Sequence, residues 1–285
     1  MATGNDEDHC STISGSKAAK LYASIAVDYN AAKSNPFKQY VEESSFSSVI
    51  GPSSSLHGQQ VLDLGCGSGH YCRILKNKLG ASTIHGVDVS EHMLAEARRH
   101  EAQAPLGIQY LQQDLLSCTA AAKIMDKFNN SDLYDLVTAE YLFPYAANRE
   151  ELDQLCLNAA SLVKSGGGRF ATIVSLCSDS VMSAGIDGIL ESKELGWAVT
   201  WNDEPKDGML VEFTLFGDTE GCTSRVSFPN YLWTKETIYA ALKAAGFGQV
   251  EWGPVAVADG APEFIKRANA EVEKTPIGIV VARRF

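Results

Sequence analysis

One segment, Val61-Leu-Asp-Leu-Gly-Cys-Gly-Ser-Gly-His-Tyr71, constrains this 285-residue chain more than any other. Val61, Leu62 and Leu64 make a buried-type strand around Asp63, alternating glycines break it, and a helical pattern begins at His70. Gly65 and Gly67 let the backbone turn tightly and approach a ligand at the exposed amides of a helix N-terminus. A strand, a glycine turn and a helix in that order predict the ligand end of a parallel α/β sheet.

The rest of the chain extends that unit. Strand patterns at Gln60–Leu64, Thr83–Val87, Ile108–Leu111, Leu133–Ala139 and Arg169–Ser175 alternate with helical patterns. The helices are expected at His70–Leu79, from a Ser90 cap to about Glu101, at Ala120–Phe128 and at Glu150–Val163. Such alternation predicts right-handed βαβ crossovers and a parallel sheet. The order then changes. Within 179–233, β-like runs at Trp197–Trp201, Leu210–Phe216 and Ser224–Phe228 lack parallel crossovers and predict an inserted antiparallel cap. Thr234 caps a further helix that stops at Gly246, and strand-like Gln249–Trp252 and Ile277–Ala282 close the chain. Before the sheet, Leu21, Ile25 and Tyr29 share one face of a helical stretch running from Ser16 to about Phe46. The expected organisation is a flexible tail at 1–16 and one domain at 17–285, with a helical lid at 17–50 and the cap at 179–233.

The glycine turn fits two ligands, a dinucleotide or S-adenosylmethionine. A dinucleotide fingerprint needs its third glycine at position 70, where this chain has His70; the extra glycine is Gly69. Asp63, just before the turn, opposes a pyrophosphate and suits a cationic amine. The D-x-G-x-G-x-G spacing therefore resembles the first motif of class I S-adenosylmethionine-dependent methyltransferases. That resemblance implies a Rossmann-like α/β sheet, mostly parallel with one antiparallel C-terminal strand, carrying N-terminal helices and the antiparallel β cap. It implies S-adenosyl-L-methionine as cofactor, Asp63, Gly65, Cys66 and Gly67 at its amino acid end, and Asp88 on the ribose hydroxyls. Val89 and Met93 would line the adenine, and Asp114 and Leu115 would meet its edge. Glu140 and Tyr141, after the fourth strand, would stand beside the sulfonium. Gly166-Gly167-Gly168 resembles the structural turn that precedes the fifth strand of these enzymes.

Pro105–Leu111, Glu140–Leu152 and Pro276–Ile279 resemble the toxoflavin-synthase-like branch of small-molecule methyltransferases. In that branch N-terminal helices fold over the cofactor, which implies that Tyr22 and Tyr29 close the pocket. The proline pair and aromatic of nucleobase and glutamine amino methyltransferases is absent; only Phe143-Pro144-Tyr145 stands there. The expected reaction is methyl transfer to a nitrogen or oxygen of a small molecule in specialised metabolism. Glu140 and Tyr141 are the first candidates for catalytic groups, followed by Tyr145 and His70. Trp197, Trp201, Phe213, Phe216, Tyr231 and Trp233 supply aromatics for the walls of a flat acceptor or for the cap's own core. Three other readings remain: a protein that binds the cofactor without transferring methyl, a partner subunit, and a nicotinamide-dependent oxidoreductase.

Composition narrows the partners. A net charge of −11 and the lack of any Lys/Arg cluster argue against a nucleic-acid partner. Seven scattered cysteines show no metal-ligand spacing, so no metal is expected and a reducing, cytoplasmic setting fits. No apolar run approaches the ~20 residues that span a bilayer, and the polar start lacks signal-peptide character.

Overall fold

The computed structural model describes residues 18–22, 25, 29, 37–130, 132–192, 196–219, 222–267 and 277–285. The tail expected at 1–16 lies outside these residues.

A seven-stranded sheet organises the chain. Its strands are β1 (Gln60–Leu64), β2 (Thr83–Asp88), β3 (Gln109–Gln112), β4 (Leu136–Thr138), β5 (Arg169–Ser175), β10 (Gln249–Gly253) and β11 (Ile277–Arg283). Their order is β10-β11-β5-β4-β1-β2-β3. Strand β11 runs antiparallel to both β5 and β10, and the pairings among β1 to β5 are parallel. The parallel sheet with one antiparallel C-terminal strand is therefore as expected. The chain leaves β1 for β2 and β3 on one side and returns to β4 on the other, so β1 and β4 flank the topological switch point.

Helices cover both faces, which is why the central strands read as continuous apolar runs. Leu62, Leu64, Val137 and Phe170 pack on one face with the helices Arg149–Leu162 and Lys235–Ala244. Val61, Ile84, Leu136 and Ile173 pack on the other with Phe46, Ile50 and the helix His70–Asn77. Side-chain caps start three helices, two of them at the expected Ser90 and Thr234. Ser90 Oγ accepts from the Met93 N–H (3.4 Å), Asn148 Oδ1 from Glu151 (2.9 Å) and Thr234 Oγ1 from Thr237 (3.3 Å). The fourth strand is shorter than the expected Leu133–Ala139, because Tyr134 bridges to Val163 before the ladder with β1 and β5 begins.

The cap is a separate antiparallel sheet of four strands, β6 (Ile189–Ser192), β7 (Trp197–Thr200), β8 (Met209–Thr219) and β9 (Cys222–Leu232), in that order. It has one strand more than the sequence pattern predicts. Leu176 and Trp233 form a parallel bridge, and the Cys177 N–H donates to the Trp233 carbonyl (3.0 Å). The insertion thus leaves and rejoins the main sheet at adjacent points. On the other side of the ligand end, a π-helical turn, Lys38–Glu42, runs directly into the helix Glu43–Ile50. The N-terminal helix thereby reaches past Phe46. No helix of the described residues is long and apolar enough to cross a membrane.

Candidate active site

The glycine turn is folded by its neighbour strand. The Gly65 and Cys66 N–H groups both donate to the Val87 carbonyl (2.7 and 3.0 Å), which bends the chain over the end of β2. Gly67 then takes φ +53°, and a Cβ there would stand 3.1 Å from Met93 Cε. Gly69 is left-handed as the N-cap of His70–Asn77, and a Cβ on it would collide with the Tyr110 hydroxyl. Both positions need glycine for conformation and for space.

Asp88, the last residue of β2, pins this loop. Its Oδ2 accepts from the Gly67 N–H and its Oδ1 from the Ser90 N–H, each at 2.8 Å. Burial pushes its carboxyl up to about 6, against the Ser90 and Gly67 hydrogen bonds that favour the anion. At the switch point, the Tyr141 N–H donates to the Ile173 carbonyl (2.7 Å) with Tyr141 at φ +59°. A bulky residue in the left-handed region is strained, and such residues concentrate at functional sites.

These elements enclose a cavity of about 910 Å³ above the carboxyl ends of β1, β2 and β4. Gly65, Cys66, Gly67, Asp88 and Met93 form one wall, and Glu140, Tyr141 and Tyr145 another. Tyr22 and Tyr29 from the N-terminal segment complete it. Their rings meet edge-on at 5.1 Å, and the Tyr22 hydroxyl bonds that of Tyr145. Burial first, then neighbouring phenols, holds Tyr22 and Tyr145 well above the usual tyrosine range, so both are neutral donors. Burial also pushes the Cys66 thiol up to about 11, leaving it inert.

The structure separates the candidate site residues into two groups. Tyr22, Tyr29, Gly65, Cys66, Gly67, Asp88, Met93, Glu140 and Tyr141 meet at this cavity. Asp63 lies behind the wall, fully buried, accepting from Thr138 Oγ1 (3.0 Å) and Cys72 Sγ (3.1 Å). Its carboxylate ties β1 to β4 and to the helix His70–Asn77. Asp114 accepts from the Leu116 N–H (2.9 Å), the Leu115 carbonyl accepts from Asn158 (2.8 Å), and the Val89 carbonyl accepts from Gln112 (3.1 Å). None of these four residues is among those lining the cavity. Among the residues that sequence reasoning did not single out and that do line it are Lys38, Glu43 and Ser68. Glu43 Oε1 holds His70 Nε2 at 2.7 Å and so clips the N-terminal helix to the glycine turn. Lys38 is buried with its ammonium 5.6 Å from the Tyr71 ring centroid. A charged residue on an amphipathic stretch reads as solvated, so no local signal marks either of them.

A second, smaller cavity of about 40 Å³ adjoins the first through Tyr29, Lys38, Tyr141 and Tyr145, which line both. Its far walls are Trp197, Phe213, Leu215 and Phe228 of the cap together with Phe37. Phe213 and Phe228 are directly paired across β8 and β9 with rings stacked at 5.8 Å. Tyr141 reaches this space too. Burial first, then the Glu42 charge and a hydrogen bond to the Glu42 side chain, keeps its phenol protonated.

The strand order is that of a Rossmann-like α/β sheet, and solved methyltransferases share this fold. Residues 61–167 match the family model described as a methyltransferase domain. Over 121 residues the chain is 31% identical to the ubiquinone biosynthesis O-methyltransferase of Coxiella burnetii, covering 42% of this chain and 46% of that one. The corresponding protein of Pectobacterium atrosepticum matches at 28% over 120 residues, 42% of this chain and 44% of that one. The chain thus spans less than half the length of these curated relatives. Among solved structures, an S-adenosylmethionine-dependent methyltransferase from Clostridium acetobutylicum superposes with TM-score 0.55 at 18% identity, covering 94% of this chain and 98% of that one. The CcbJ methyltransferase of Streptomyces caelestis gives 0.57 at 17%, covering 96% and 98%. The sugar N-methyltransferase KedS8 of a Streptoalloteichus species gives 0.53 at 19%, covering 100% and 98%. At these identities the structural likeness is one of fold. Residues 61–167 thus resemble a methyltransferase domain, and they lie in a fold shared with S-adenosylmethionine-dependent methyltransferases.

Proposed function

We propose that this protein transfers a methyl group from S-adenosylmethionine to a nitrogen or oxygen of a small, flat acceptor. The observation that carries this reading is the pair of adjoining cavities. One sits at the switch point beneath the glycine turn, and the other, walled by cap aromatics, opens beside it at Tyr141 and Tyr145. The residues of the larger cavity fit the cofactor. Asp88 offers a buried carboxylate to paired hydroxyls, Met93 an apolar face to a heterocycle, and Glu140 a negative charge to a cationic centre. The net charge of −11 supports a small molecule over a polyanion as acceptor. The toxoflavin-synthase-like resemblance and the sugar acceptor in KedS8's name support a place in specialised metabolism.

The cofactor, when bound, supplies a methyl group on a sulfonium, open to in-line displacement. The chain's own contribution is alignment and exclusion of water, and alignment alone is worth up to ~7–11 kcal/mol. Tyr22, Tyr29 and Tyr145 close the side of the cavity, and Tyr141 stands at the junction with its O–H on Glu42. Proton removal from the acceptor, where it is needed, falls to the Glu140 or Glu42 carboxylate, because burial keeps Tyr22, Tyr141 and Tyr145 protonated.

Calorimetric titration with S-adenosylmethionine, its demethylated product and NAD tests the reading. Micromolar binding of the two sulfur nucleotides is expected, with NAD silent. Asp88→Ala should weaken binding by about 10–100-fold through the lost charge-assisted hydrogen bonds. Binding of NAD in place of the sulfur nucleotides would overturn the proposal.

A further inference from the structure

The wall of the larger cavity contains a buried hydroxyl that the protein leaves unpaired. Tyr71 lines this cavity and is 6% exposed, and its Oη has no hydrogen-bond partner. Other tyrosines of the same wall are engaged: Tyr22 bonds Tyr145, and Tyr141 bonds Glu42. Tyr71 is the second residue of the helix His70–Asn77, which starts at left-handed Gly69 with no side-chain cap. The amides of an uncapped first turn favour an anion. Lys38, 7% exposed on the π-helical turn, lines the cavity as well and sets its ammonium over the Tyr71 ring, 5.6 Å from the centroid. Burial first, then the Glu42 charge, holds the Tyr71 phenol well above the usual tyrosine range, so it is a neutral donor. A cation, an unpaired O–H and a helix N-terminus thus share one corner of the cavity.

An unpaired buried donor is retained where a ligand completes it. The charges around this corner limit what that ligand is. Glu43 is occupied by His70 (2.7 Å) and Lys78 (3.5 Å). Glu140, 8% exposed, lines the same cavity, and its charge and that of Glu42 both act on Tyr71. Those two carboxylates oppose a bare anion, whereas a zwitterion brings a charge for each sign on the wall. The amino acid end of S-adenosylmethionine is a zwitterion, and Asp63, expected beside it, is held behind the wall by Thr138 and Cys72. We infer that Tyr71 and Lys38 together read the carboxylate of that amino acid end and make the chain specific for a nucleotide that carries one. A carboxylate has two oxygens, one for the phenol O–H and one for the ammonium. This rests on the S-adenosylmethionine reading and goes beyond it by assigning cofactor selection to two residues outside the D-x-G-x-G-x-G spacing.

Titration calorimetry of the intact protein tests this with two ligands, the demethylated cofactor and its decarboxylated form, in which hydrogen replaces the carboxylate. The unaltered chain should bind the first at least about 30-fold more tightly than the second. Tyr71→Phe, which removes one oxygen, should narrow that ratio by about fivefold or more, and Lys38→Met by about tenfold or more. Affinity for the decarboxylated form should change by less than about twofold in either variant. The Tm of unliganded Tyr71→Phe should not fall, because the lost hydroxyl makes no hydrogen bond within the protein. Tyr110→Phe is the control: its Oη is also buried and unpaired, but Tyr110 is not among the residues lining the cavity, so the ratio should stay. Equal binding of the two ligands by the unaltered chain, or a Tyr71→Phe variant that weakens both alike, would overturn the inference. If Lys38→Met does not fold, Tyr71→Phe alone decides. Failure of both nucleotides to bind the unaltered chain would instead overturn the methyltransferase reading, and this inference with it.

Discussion

At the scale of single residues, the role proposed for Asp88 predicts that ligand binding depends on pH. Burial raises its carboxyl from the ordinary value near 3.8 to about 6, so the folded chain holds this proton more tightly than the unfolded one. Its effect on stability is therefore most favourable below about 3.8, declines as pH rises toward about 6, and is level above that. Ribose hydroxyls require the opposite form, the anion. Affinity for the demethylated cofactor should be constant above about pH 7 and fall toward tenfold per pH unit well below about 6. Titration calorimetry across that range checks this, and Asp88→Asn should weaken binding and remove the break. A Kd that ignores pH would mean that Asp88 does not touch the ligand. Gly67 makes a sharper steric case. At φ +53° an alanine costs about 1–2 kcal/mol in backbone strain, and its Cβ would meet Met93 Cε at 3.1 Å. Gly67→Ala should lower cofactor affinity about tenfold or more. A second change, Met93→Ala, should restore only part of the loss, since it relieves the contact and leaves the dihedral. Full rescue would show that strain plays no part.

At the scale of elements, the clip between two helices is where the sequence was least readable. Glu43 and His70 are far apart in the chain, and only the fold sets their side chains 2.7 Å apart. Burial raises the Glu43 carboxyl, but the His70 hydrogen bond and the charges of His70, Lys38 and Lys78 outweigh it and hold it below the usual range. A depressed carboxyl stabilises above its unfolded pKa, and that gain disappears as pH falls through the lowered value. Because the His70 side chain is 42% exposed, solvent screens the pair. Glu43→Ala should cost only about 0.5–1 kcal/mol in chemical denaturation at neutral pH. An effect several times larger would point to packing rather than charge. The strands whose residues are buried on both faces were legible because burial demands apolar runs: Gln60–Leu64 and Arg169–Ser175 match the expected bounds. Strand Ile189–Ser192 was not, since it lies at the cap's edge with Ile189 56% exposed and no alternation to announce it. The same limit applies to Asp63. A carboxylate at a strand's end is visible in sequence, but its capture by Thr138 and Cys72 depends on which strands become neighbours.

At the scale of the molecule, the cavity residues come from three segments of the chain. The parallel sheet supplies Gly67, Asp88 and Tyr141, the N-terminal segment supplies Tyr22 and Tyr29, and the cap supplies Phe213 and Phe228. Tyr22, Tyr29, Met93, Val226 and Phe228 form one apolar cluster in which all three pieces meet. Order imposed on any one of them by a ligand is therefore transmitted to the other two by direct packing. At a ligand concentration of about 100 times Kd, mass action alone adds about 2.7 kcal/mol to stability. That gain should appear as a rise in Tm, and hydrogen exchange locates it. Saturation with the demethylated cofactor should slow exchange in three places: the Gly65–Gly69 turn, the Glu140–Tyr145 segment and the cap strands β8 and β9 around Phe213 and Phe228. Strand β6, two strands away at the outer edge of the cap, should be unchanged. Protection confined to the main sheet would mean that the cap moves independently of the cofactor cavity. Equal protection of β6 would mean that the cap responds as one rigid body, and the cluster around Tyr22 and Phe228 would then have no special part in joining the pieces.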